Sequence, residues 1–116
     1  MAVTTLNLKP ATLNVEAWQA DDVLIPLVFK DSAGVPIDLT GRTFASEIRD
    51  QAGNLKSTAT ITVTPLTGSV LVKFPKTDTA TMLPTDSMTW DLQQTMSGDV
   101  RTWVAGRFRI KIDITA

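Results

Sequence analysis

The stretch GRFRIKIDIT, residues 106–115, constrains this chain more than any other. Phe108, Ile110, Ile112 and Ile114 alternate with Arg107, Arg109, Lys111 and Asp113. A period of two places every apolar side chain on one face of a strand and every charge on the other. A shift of one residue would bury four charges, so the register of this strand is fixed by the pattern itself. The rest of the chain must therefore supply neighbouring strands and a second layer to cover the apolar face.

Further runs have the same period. DVLIPLVFK puts Val23, Ile25, Leu27 and Phe29 on one face, with Leu24 and Val28 expected to be partly buried on the other. Pro26 inside that run cannot donate to a ladder and marks an edge or a bulge. Phe44, Ser46 and Ile48 alternate with Ala45, Glu47 and Arg49, and Ala59, Ile61 and Val63 alternate with threonines as one strand. Val70, Val72 and Phe74, then Met88, Trp90 and Leu92, complete the inward set.

Turn chemistry separates these runs. Asp31 to Gly34 and Asp50 to Gly53 each place Asp first and Gly last, as a type I turn prefers. Thr67-Gly68 and Ser97-Gly98-Asp99 are tight hairpin signals. Pro75 to Pro84 is expected to form one helical turn between two sheets, with Thr77 or Asp78 as its cap. Short strands at this spacing predict an all-β, antiparallel β-sandwich of about seven to eight strands with one short helical turn. The expected organisation is an N-terminal arm or edge strand over residues 1–11, followed by one domain over residues 12–116. In the arm, Thr5-Leu6-Asn7-Leu8 suits addition of a strand to another subunit's sheet, which makes Leu6 and Leu8 candidate contacts.

Composition argues against chemistry. The 116 residues include no Cys, His or Tyr. The usual general base, the commonest metal ligand and the thiolate nucleophile are missing together. No catalytic residue, metal site or cofactor is expected. Asp38, Asp50 and Asp91 read as turn or strand-end caps, and the strand phases bring no carboxylate pair together for a hydrolase. Asp21-Asp22 reads as a solvated turn. A net charge of −1 favours neither nucleic acid nor an anionic membrane as partner. No basic start followed by an apolar run occurs, so the chain is expected to stay where it is made.

Two of the three tryptophans stand apart. Trp90 is in phase with Met88 and Leu92 and reads as core. Trp18 lies beside a polar loop, and the phase of Trp103 conflicts with that of Val104; both are candidates for an interface or a sugar-stacking platform. Arg101, Arg107 and Arg109 are further candidate contacts. The outward charges of the last strand read as a face that discourages edge pairing rather than as a phosphate groove.

Asp31 to Gly41, Ile48-Arg49-Asp50, Met82-Leu83-Pro84, Trp90-Asp91-Leu92 and Val104 to Phe108 occur in an order that resembles a family of small bacteriophage structural proteins. The resemblance covers about residues 13 to 115. Where that family has GDT after the first strand, this chain has Ala20-Asp21-Asp22. The resemblance implies an immunoglobulin-like sandwich and a non-catalytic virion component that docks on other virion proteins of the capsid, neck, tail or baseplate. It also implies several copies per particle or a homo-oligomer, located in the virion and, during assembly, in the host cytoplasm. The alternative expectation is a carbohydrate-binding β-sandwich module.

Overall fold

The computed structural model describes residues 10–112. Leu6, Leu8 and Ile114 lie outside the described residues. Among the described residues nine strands form two sheets. They are β1 (Ala11–Thr12), β2 (Val15–Trp18), β3 (Val23–Val28), β4 (Thr43–Asp50), β5 (Leu55–Thr58), β6 (Thr60–Thr64), β7 (Ser69–Phe74), β8 (Met88–Met96) and β9 (Asp99–Lys111). One sheet has the order β1-β9-β8-β4-β5, with β2 also on β9, and the other has the order β3-β7-β6. The sheets pack face to face as a β-sandwich. Their order matches the immunoglobulin layout, with β9, β8, β4 and β5 in one layer and a three-stranded layer opposite. The ladders are antiparallel except at the first two strands, which run parallel to β9.

The core is built from the predicted inward positions. Ile48, Val70, Val72, Phe74, Trp90, Leu92, Phe108 and Ile110 are all buried. Phe74 and Phe108 meet edge to face across the two sheets with centroids 6.0 Å apart, an arrangement that aromatic quadrupoles favour. Ile112 departs from the pattern. It is 45% exposed because it lies beyond the last pairing of β9, where no strand covers it.

Nine strands replace the expected seven or eight for two local reasons. The first strand is broken at Leu13–Asn14, and the single threonine-rich strand is two. Ser57 on β5 pairs with β4, Ile61 on β6 pairs with β7, and the chain changes sheets at Ala59, whose N–H donates to Ser46 O at 2.9 Å. The helical turn is present as α1 (Lys76–Thr79) and carries the chain from β7 back to β8. Its cap is Pro75 rather than Thr77 or Asp78. Asp78 instead accepts from the buried Ser57 hydroxyl at 2.7 Å.

Pro26 lies on an edge strand, as its chemistry requires. Phe29 N–H donates to Gly68 O, so the odd residues of β3 face β7. Pro26 therefore falls where an N–H would face the free edge. Leu24 and Val28 are 58% and 54% exposed, not partly buried, because nothing covers the outer face of the three-stranded sheet among the described residues.

The two DxxG turns share one construction. Asp31 Oδ1 accepts from Ala33 and Val35 N–H, and Asp50 Oδ1 accepts from Ala52 and Asn54 N–H. Gly34 and Gly53 close them at φ of 81° and 87°. Ser97 and Gly98, both at positive φ, make the primed two-residue turn between β8 and β9. Ala20 sits at φ 67°, a left-handed conformation that disfavours a Cβ. Both neighbouring acids are exposed in this turn, as expected, and two hydrogen bonds tie it to α1. Asp22 Oδ1 accepts from Lys76 N–H at 2.8 Å, and Asp21 O accepts from the Thr79 hydroxyl at 2.8 Å.

Candidate functional site

The outer face of the six-stranded sheet brings together Glu16, Glu47, Arg49, Asp91, Arg107, Arg109 and Lys111. Its rows follow from the pairing registers. Thr12, Ala105, Asp91, Glu47 and Thr58 form one row across the sheet. Arg107, Thr89 and Arg49 form the next. Arg109 beside Glu16, then Lys111 beside Trp18, continue the face along β9. Period two delivers these groups together because β4, β8 and β9 all turn their apolar sides inward.

Small residues at Thr12, Ala105 and Gly106 leave a groove of about 570 Å³ in this face. Glu47 and Asp91 lie along it, with Arg49 on one side and Arg107 on the other. Glu47 pairs with Arg49 at 3.0 Å. Asp91 has only a 3.5 Å contact from Gln93 Nε2. Partial burial, with the charge of Glu47 second, raises the Asp91 carboxyl above the ordinary carboxylate range. Like charges directly opposite on neighbouring strands destabilise a sheet. This corrects two expectations. Asp91 caps nothing, since it sits in mid-strand, and the strand phases do bring a carboxylate pair together, though from Glu47 rather than Asp38 or Asp50. No sequence signal could have found the pair, because it arises from the register between β4 and β8.

A consequence follows for stability. With a raised folded-state value, the proton on Asp91 is held more tightly in the folded chain than in the unfolded one. Stability therefore increases as pH falls through the folded value, and the penalty is complete at neutral pH. Asp91→Asn is expected to raise Tm at pH 7 by about 2 °C, a modest figure because the carboxyl is only partly buried and solvent still screens it. The difference from wild type should vanish under acid conditions, as scanning calorimetry across pH would show.

The sequence-derived candidates separate into two places. Trp18, Arg107 and Arg109 lie on the charged outer face. Trp18 is 49% exposed, with Lys111 Nζ 5.9 Å from its ring centroid, and Lys111 also pairs with Glu16 at 2.8 Å. That carboxyl is lowered by hydrogen bonding to Lys111 and by its charge. Arg101 and Trp103 lie toward the other end of β9, with Trp103 about 25 Å from Lys111, the pairing partner of Trp18. The phase conflict at Trp103 is real and marks a bulge. Leu92 pairs with Val104 while Gln93 pairs with Thr102, so Trp103 is the extra residue.

The bulge turns Trp103 into the open end of the sandwich. Its ring centroid lies 5.3 Å from that of Phe29, which stacks on Phe44 at 5.9 Å. Arg101 covers the ring at 3.8 Å, and the indole N–H donates to Gln94 Oε1 at 3.0 Å. Arg42 donates to the same oxygen at 3.1 Å. A ring flanked by Phe29 and Arg101 is a lid on the core, not a platform for a sugar. Leu6 and Leu8, the arm contacts, lie outside the described residues. Among the described residues no group of three or more acidic side chains is arranged to hold a metal ion.

No protein-family model matches the chain, and no curated protein matches it.

Proposed function

We propose that this chain is a non-catalytic structural protein of a bacteriophage particle, a sandwich that docks on other virion proteins in several copies. The order of its motifs supports that reading. So does a sheet face that presents Trp18 beside Arg107, Arg109 and Lys111, all exposed, on a backbone held by long ladders. Tryptophan and arginine are the side chains that most often dominate protein interfaces. That rank of large side chains on a rigid sheet is the single observation that carries the proposal.

The test is incorporation. Particles assembled with a chain carrying Trp18→Ala and Arg109→Glu are expected to hold about tenfold less of it, the loss of about 1.4 kcal/mol of docking energy. Quantitative mass spectrometry of purified particles measures this, and an unchanged melting temperature of the variant shows that only the surface was altered. Incorporation equal to wild type would overturn the reading of this face. The carbohydrate-binding alternative is carried better by Trp18, since Trp103 is covered by Arg101 and packed against Phe29. A glycan array with wild type and Trp18→Ala separates it from the docking reading.

A further inference from the structure

The outer face of the three-stranded sheet contrasts with the one opposite. Its rows are Leu24, Lys73 and Thr60, then Pro26, Leu71 and Thr62, then Val28, Ser69 and Thr64. Leu24, Pro26, Val28 and Leu71 are exposed, and Lys73 is the one charge in these rows. Nine residues on three strands cover roughly 250 Å² in plan, from strand spacing and rise. A stable pair of proteins needs about 800 Å² on each side. This face alone is too small for a permanent dimer, and it fits a contact that gains strength by repetition.

The charged groove on the other side of the same molecule is its complement. It has a floor of small residues and is lined by Arg49 and Arg107 as well as by the carboxylates; Arg49 holds Glu47, and Asp91 takes part in no ion pair among the described residues. An ammonium group placed beside Asp91 would remove the like-charge repulsion of that row. Lys73 has no carboxylate in its own rows to satisfy it.

We propose that the three-stranded face of one copy docks on the groove of a second copy, with Lys73 entering between Glu47 and Asp91 and Leu24 and Leu71 covering Ala105 and Gly106. The surfaces differ, so the contact is head to tail, and the pair keeps one free groove and one free apolar face for the next copies. The inference rests on the reading of the chain as a multicopy surface-presenting protein and names one of its partners as itself. It is independent of which other virion protein the copies meet.

Sedimentation velocity of the purified full chain tests it over an about hundredfold range of concentration. Wild type should show a weight-average sedimentation coefficient that rises with concentration and falls back in high salt. Lys73→Glu, which changes an exposed side chain, should stay at the monomer value throughout. Asp91→Lys should do the same, and Glu47→Lys serves if that variant fails to fold. An equimolar mixture of Lys73→Glu and Asp91→Lys should associate again, because each restores opposite charge at both contacts. A wild type that stays monomeric, or a Lys73→Glu chain that associates as wild type does, overturns the proposal. Purified chain alone is used, so particle incorporation that persists or fails in the earlier test leaves this result readable by itself.

Discussion

Gly106→Ala should cost the fold about 4 kcal/mol or more, enough to lower Tm by at least about 15 °C or to leave no folded state at all. Gly106 lies within β9, opposite the break between β1 and β2. A Cβ built there meets Leu13 O at 1.9 Å and Leu13 C at 2.6 Å. Both are backbone atoms, so no side chain can rotate away. Relief requires the first strand to move off β9, which would break the Leu13 N–H to Ala105 O bond and the parallel pairing beyond it. Gly53→Ala is the matched control. Its φ of 87° disfavours a side chain, but nothing lies within 4 Å of its Cβ, so the cost should be about 1 kcal/mol. Urea denaturation of both variants measures the contrast. Equal losses would mean that the approach of Leu13 to Gly106 is not what fixes the first strand.

Trp90→Phe should cost about 2 to 3 kcal/mol, and Trp90→Ala about 4 to 5. Trp90 is 2% exposed at the centre of β8, and its indole N–H donates to Leu13 O at 2.8 Å. That carbonyl belongs to the break in the first strand, where the ladder offers it no partner. Phenylalanine fills most of the space but cannot donate, so the Leu13 carbonyl loses this hydrogen bond. The kink has a second clamp: Asn14 Oδ1 accepts from Arg107 N–H at 3.0 Å. Hydrogen exchange distinguishes these effects from simple loss of packing. In Trp90→Phe the amides of Leu13 and the β2 strand should exchange much faster, while those of β3 and β7 change only with global stability. A uniform change across the chain would show that the indole acts through its volume alone.

Much of this architecture was legible because inward and outward residues differ in kind. Phe108 and Ile110 against Arg107 and Arg109 leave one choice of face, and the two DxxG turns carry their own hydrogen bonds within five residues. The reading failed where the signal depended on a partner. Leu24 and Val28 are apolar, and their exposure became visible only once the three-stranded sheet was seen to have a bare outer face. The pairing of Glu47 with Asp91 depends on a register that no single strand encodes. Gly106 did leave a trace, since a lone glycine inside a strand pattern marks a bulge or a close backbone approach, but what approaches it could not be read. The conflict of Trp103 with Val104 was a true signal of irregularity, and only the pairing of Leu92 and Gln93 identifies it as a bulge.

The parallel pairing of the first two strands with β9 has a mechanical consequence. Tension applied through Pro10 and Ile112 would act at opposite ends of one parallel ladder, from Ala11 beside Val104 to Trp18 beside Lys111. Such a load stretches every hydrogen bond of that ladder together, whereas an antiparallel pair pulled from one end would unzip bond by bond. The Trp90 and Asn14 bonds to the kink add cross-links in the middle of the loaded segment. A body pulled along this line yields only when the whole seam slides, which makes it a rivet rather than a zipper.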